Sequence, residues 1–253
     1  MHKTCPLLTA LGIITAVPAY ADNLPPVTPY RPSVASPAQL PAPGQLELEL
    51  GGLSARGGGD RRDSLPYQLK LAFSDKWGIL IGGEAAVADR QGDERTSGFG
   101  DTTFTVKRTW VLDEPTAVGL ELAAKAPTAG DGIGSGKADY TINGIFSRDL
   151  GSVHMDLNLN ETRQGAPDAG TGRMQAGWAS SFSTQIADKW TATTELSGMR
   201  QKNAPHTVQL LAALTYSPTP RMAIDVGVAK GLASVSQDWS LFGGIVLPLA
   251  NLR

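Results

Sequence analysis

From Gln45 onward the chain changes face at every residue. Gln45-Leu46-Glu47-Leu48-Glu49-Leu50 sets three leucines on one side and a glutamine with two glutamates on the other. A helix would scatter those leucines around its circumference, so a two-residue period specifies a strand. The same arithmetic recurs in Tyr67/Leu69/Leu71/Phe73, Trp77/Ile79/Ile81, Phe104/Val106, Val118/Leu120/Leu122 and Tyr140/Ile142/Phe146. It continues through Val153/Met155/Leu157/Leu159, Trp178/Phe182/Ile186, Val208/Leu210/Leu214/Tyr216, Met222/Ile224/Val226/Val228 and Trp239/Leu241/Ile245/Leu247. With a weaker segment from Trp190 to Met199, this gives about twelve strands, each roughly the length a tilted strand needs to cross a bilayer. The pattern predicts an all-β chain: an up-and-down antiparallel meander closed into a transmembrane barrel.

The connections support closure. Five are tight: Ser74–Lys76, Leu112–Pro115, Arg148–Gly151, Ala187–Lys189 and Ser217–Pro220. Six are longer and rich in glycine or charge: Ser54–Ser64, Asp89–Gly98, Pro127–Ala138, Gly165–Gly172, Arg200–Pro205 and Lys230–Asp238. Tight and long alternate throughout, as in outer-membrane barrels with short periplasmic turns and longer outer loops. An even strand count then leaves both ends of the barrel sequence on the periplasmic side. Phe73, Trp77, Trp110, Phe146, Trp190 and Tyr216 all fall near tight turns and on the apolar parity of their strands. That places an aromatic girdle at one membrane interface. A soluble β-protein would leave this ring exposed without purpose. Arg108 shares the outward parity two residues from Trp110, where its guanidinium can snorkel to water. Pro248 interrupts the last strand, and the sequence ends Asn251-Leu252-Arg253 without a terminal aromatic.

Three segments are expected. Residues 1–21 read as a signal peptide: Lys3, an apolar stretch from Pro6 to Val17, and the small-x-small site Ala19-Tyr20-Ala21. Residues 22–44 carry Pro25, Pro26, Pro29, Pro32, Pro37, Pro41 and Pro43. Such density excludes helix and central strand, so an extended, unstructured periplasmic tail is expected, with a plug-like segment as the alternative. Residues 45–253 form the barrel. Cys5, the single cysteine, lies in the leader, so the exported chain has no disulfide and no thiol chemistry. The net charge is −2, or −3 once Lys3 is removed with the leader. That gives no basic signature for nucleic acid.

Several stretches resemble the outer-membrane barrels grouped as putative meta-pathway phenol-degradation proteins, a family of transporters. They are Gly98-Phe99-Gly100-Asp101-Thr102-Thr103, Lys125-Ala126-Pro127-Thr128, Gly134-Ser135-Gly136 with Asp139-Tyr140, Ser147-Arg148-Asp149-Leu150-Gly151, and Leu157-Asn158-Leu159-Asn160. The resemblance implies a barrel associated with uptake of aromatic or other hydrophobic compounds, and it carries over no catalytic residue.

The residues themselves offer little chemistry beyond a lined interior. Gly130–Lys137 imitates a phosphate loop, but Asp131 stands where the first glycine is needed and Ala138 where Ser or Thr must ligate magnesium. His154 and Asp156 share one polar face, without the further ligands a metal site requires. A barrel hydrolase would need its histidine on the outer surface, and His154 has inward parity. Glu47, Glu49, Lys70, Glu84, Lys107, Glu121, Lys125, His154, Asp156, Glu195 and Asp225 all fall on the polar face. They are expected to line the lumen, setting solute preference or filling a narrow interior. The expectation is a monomeric barrel in outer-membrane lipid that passes a small solute and needs no cofactor. A structural or surface-binding barrel with a closed lumen is the alternative.

Overall fold

The computed structural model describes residues 24–252; the expected signal peptide lies outside them. The strands are β1 (Gln45–Gly57), β2 (Asp60–Ala72), β3 (Trp77–Gln91), β4 (Glu94–Gly98), β5 (Thr102–Asp113), β6 (Thr116–Ala126) and β7 (Asp139–Leu150). They continue as β8 (Val153–Arg163), β9 (Met174–Ala187), β10 (Trp190–Gln201), β11 (Thr207–Thr219), β12 (Met222–Gly231) and β13 (Trp239–Asn251). Both β4 and β5 pair with β3, over Val87–Gln91 and Trp77–Gly82 respectively, so they are two pieces of one wall strand. The break falls at Gly100, where a Cβ would meet the Glu84 side chain. Counted that way, the wall has twelve antiparallel strands, each bonded to its sequence neighbours, and it closes where β13 pairs with β1. Among the described residues no helix is long and apolar enough to cross a membrane.

Alternation decides which way each side chain points. In β12, Ile224, Val226 and Val228 are exposed outside while Ala223, Asp225 and Ala229 are buried inside. The interior is not uniformly polar. Leu211, Ala213 and Ala229 pack inside the wall with Phe242 lying against them.

Two of the expected long loops are hairpins instead. β1 and β2 stay in register to Gly57 opposite Asp60, closed by Gly58 and Gly59 at φ 61° and 94°. A two-residue turn with both centres at positive φ matches the twist of its strands, and glycine adopts it at least cost. β3 and β4 likewise pair from Val87/Gly98 to Gln91/Glu94. Charged side chains on both faces hide the alternation there.

The girdle residues lie around the tight-turn end. Phe73, Trp77 and Trp190 are exposed, Trp110, Phe146 and Tyr216 half-buried, and the Trp190 and Tyr216 rings are 4.8 Å apart. The Arg108 guanidinium lies 4.8 Å from the Trp77 ring and 4.7 Å from Trp110. The two ring faces thus supply the electrostatic contact expected from water. Val226→Arg, at mid-wall on the outer face, is expected to cost about 2–4 kcal/mol of folding free energy in a bilayer. Denaturant titration of the lipid-embedded protein measures it.

Candidate functional site

The lumen is occupied by the chain's own proline-rich segment, which corrects the expected unstructured tail. Val27 donates to the Pro220 carbonyl at the tight-turn mouth. The chain then rises to mid-barrel, crosses the interior and returns to Gly44, which donates to Ala72 at the same mouth. Tyr30, Ala35 and Ala38 are buried along the way. We call residues 24–43 the plug.

A buried segment with no partner strand must still satisfy its backbone donors. The seven prolines remove seven donors, and wall side chains accept from most of the others. Glu47 takes the Thr28 N–H at 3.1 Å; Glu49 takes those of Tyr30 and Arg31 at 2.7 and 3.2 Å. Glu195 Oε2 accepts from Val34 and Ala35 at 2.8 and 2.9 Å. Asn158 imitates a neighbouring strand, accepting from the Ser36 N–H at 2.8 Å and donating to the Ser36 carbonyl at 2.9 Å. Ser147 accepts from Ala38.

Cations lock the two arms of the plug to the wall. Lys70, wholly buried, bridges Glu47 at 3.0 Å and Glu49 at 2.6 Å and also donates to the Thr28 carbonyl. Lys107 pairs with Glu121 at 2.9 Å and donates to the Pro37 carbonyl at 2.7 Å. The Tyr30 ring sits between them, 4.3 Å from the Lys70 ammonium and 4.1 Å from that of Lys107. Its hydroxyl donates to the Gln39 carbonyl on the returning arm at 2.5 Å. Arg31 makes a bidentate pair with Asp225, both contacts at 3.0 Å. Its guanidinium lies over Gly51 and Gly244, where an added Cβ would fall within 2.8 Å of it. That approach requires glycine at both positions.

The remaining polar-face residues separate by height. Glu84 pairs with Arg62 at 2.5 Å near the long-loop end. Lys125 bridges Asp101 at 3.0 Å and Asp139 at 2.8 Å at the same rim. His154 lies at the tight-turn end, with Asp149 at 2.5 Å on Nδ1 and Asp156 at 3.2 Å on Nε2. Both ring nitrogens are engaged by carboxylates, and Asp156 also accepts from Ser147. Among the described residues no group of three or more His, Cys, Asp or Glu is placed to hold a metal ion. The plug divides the interior. Above it, towards the long loops, is a cavity of about 770 Å³ floored by Tyr30–Ser36; below it is a smaller one of about 400 Å³ lined by Ala38–Pro43.

Residues 31–248 match the model of a family described as the putative MetA-pathway of phenol degradation. The chain belongs to this family. The matched region takes in most of the plug as well as the wall. Among solved structures the fold is similar to the COG4313 outer membrane channel from Pseudomonas putida F1, at TM-score 0.66 and 13% identity over 84% of this chain and 98% of that one. It is also similar to the NanC porin, at TM-score 0.61 and 13% identity over 80% and 100%. A third is the KdgM porin in complex with disordered oligogalacturonate, at 0.56 and 9% over 81% and 99%. No curated protein matches.

Tyr30 and Arg31 escape a reading of strand parity because they lie outside every strand, whereas Asn158 has the inward parity of Asp156 and is passed over only because it carries no charge. Tyr30 and Arg31 are the sole aromatic and the sole charged residue between positions 23 and 44, a detectable signal in an otherwise bland segment. Asn158 belongs to one of the stretches that resemble the family.

Lys70→Met leaves two buried carboxylates without their cation and is expected to cost about 3–5 kcal/mol. Adding Glu47→Gln and Glu49→Gln to it should restore most of the loss in denaturant titrations. Asp101, between β4 and β5, supplies a pH test. Burial pushes its carboxyl up, but the Ala129 N–H and Lys125 outweigh burial and hold it below the ordinary 3.8. A depressed pKa gives stability that is present above 3.8 and lost as pH falls through the lower folded value. Protease access to the 127–138 loop should therefore rise below about pH 4 and stay flat from pH 5 to 8. Asp101→Asn should show raised access throughout.

Proposed function

We propose that this protein is a monomeric outer-membrane channel through which small aromatic or hydrophobic compounds cross passively. In this reading the leader exports the chain, the tight turns and both ends of the barrel sequence face the periplasm, and the long loops face outward. The observation that carries it is the cavity of about 770 Å³ above the plug, a size that accommodates small organic molecules. Leu80, Ala179, Met199 and Val235 give it apolar surface, while Asn143, Asn160 and Gln209 supply hydrogen-bonding groups. A mixed lining suits a ring with one polar substituent better than a sugar or an ion. The family's description, a pathway of phenol degradation, supports the same class of solute. Movement would run down the solute gradient, with no cofactor and no catalytic step.

One observation favours a second reading. The charged and backbone bonds that hold the plug are those of a fixed structural element, so a barrel with a permanently closed lumen could instead serve as a surface-binding protein. Planar-bilayer conductance and phenol flux into liposomes separate the two. Under the channel reading the protein passes phenol, and Arg31→Ala with Glu195→Ala raises conductance by loosening the plug at two points. Absence of conductance and flux in both forms would overturn the channel and favour the closed barrel.

A further inference from the structure

The strand registers assemble a row of cations that sequence order conceals. Lys230 is opposite Trp239, Trp239 opposite Arg56, Arg56 opposite Arg61, Arg61 opposite Arg90, and Arg90 opposite Arg95. Directly paired residues project to the same face. Trp239 shares its parity with the outward Leu241, and all five cations are exposed. The row therefore runs along the outside of the wall at the long-loop end, from β12 to β4.

Like charges directly opposite one another oppose strand pairing, and this row holds three consecutive arginine–arginine pairs. Its own compensation is small. Among the described residues its one ion pair is Arg61 with Asp63, at 2.8 Å. Arg90 donates to the Gly92 carbonyl of its own turn, and Arg56 lies 5.0 Å from the Trp239 ring. Arg62 and Asp89, at neighbouring positions, pair with each other and have the opposite parity. An anion lying across the row would turn the repulsion into a binding site.

What lies beneath the row selects the anion. Two residues nearer mid-wall the register runs Val228, Leu241, Ser54, Asp63, Ala88 and Ser97. Beneath the arginines it is small or polar, and on the β12–β13 side it is exposed and apolar, continued by Ile224 and Ile245. A tryptophan within the row marks the height of a membrane interface. Cations at that height, beside an apolar face, fit an amphiphile with its anionic head across the arginines and its chains down the adjoining β12–β13 wall. From Arg56 to Arg95 the row crosses three strand spacings, about 14 Å. That is too wide for one phosphate and suits two carried on one scaffold.

We propose that this row is a docking site for a bisphosphorylated acyl glycolipid of the outer leaflet. Its phosphates lie across Arg56, Arg61, Arg90 and Arg95, and its chains lie on the face of Val228 and Leu241. Guanidinium groups suit this role because they grip phosphate through paired N–H donors. The inference rests on the outer-membrane reading above but not on whether the lumen conducts.

Native mass spectrometry of the refolded protein, released from neutral detergent, tests it with four probes: diphosphoryl lipid A, its dephosphorylated form, phosphatidylglycerol and inorganic pyrophosphate. Retention of diphosphoryl lipid A well above the other three is expected. The variant R56Q/R61Q/R90Q/R95Q should weaken it by at least about tenfold, and R61Q/R90Q, which keeps the outer two arginines, by less. Both relieve repulsion, so heat-modifiable migration and bilayer conductance should stay as in the parent protein. Equal retention of the dephosphorylated lipid would mean a non-selective apolar surface and overturn the proposal. So would equal retention of pyrophosphate, the mark of a free-anion site, or full retention of lipid A by the fourfold variant. If the parent protein fails to conduct yet retains lipid A selectively, the channel reading falls and the docking site stands.

Discussion

A chain that crosses hydrocarbon must satisfy every backbone N–H and C=O from within itself, and a sheet achieves this only by closing on its own edge. Here the closure is the pairing of β13 with β1, from Gln45/Asn251 to Arg56/Trp239. Leu252 adds a bond to the Gly44 carbonyl at its lower end. Everything else follows from that seam. Once the wall closes, each strand has one face in lipid and one in the lumen, so the apolar residues of β12 go outward and Asp225 goes inward. The interior then holds more acid than base, and those carboxylates need donors.

The plug supplies them without forming secondary structure. Its prolines, which exclude it from any strand, also leave fewer N–H groups to satisfy, while Glu47, Glu49 and Glu195 accept from those that remain. The same carboxylates would repel one another in an empty lumen. Lys70, Lys107 and Arg31 complete the balance, Arg31 being the cation that the plug itself brings. Filling and neutralisation are thus one event, and the wall acids are placed as much for the plug as for any solute.

The wall was legible because two-residue periodicity survives wherever one face is apolar. Leu46, Leu48 and Leu50 reveal β1 at once. Legibility ended where that contrast ended: Arg56 and Arg61 sit in a hairpin charged on both faces, so the paired strands there read as a loop. The plug was harder still. Part of its fold is dictated by partners more than a hundred residues away, such as Glu195 for Ala35 and Asp225 for Arg31. No local pattern encodes a partner at that distance. Parity did place Glu47, Lys70, Glu195 and Asp225 on the inner face, but could not say that a segment of the same chain would lie across them. The cation row escaped for a related reason, since its members are neighbours only through register.

The path of the plug has a mechanical consequence. It goes in and comes out through the same mouth, so it is a bolt and not a thread. A segment that ran from one mouth to the other could be cleared only by pulling a free end the whole length of the barrel. A bolt can be drawn by breaking side-chain bonds and the backbone bond from Val27 to Pro220, with every wall ladder left intact. Opening the bore therefore need not unzip the wall, but it does uncover wall charges such as Asp225 that the plug neutralises.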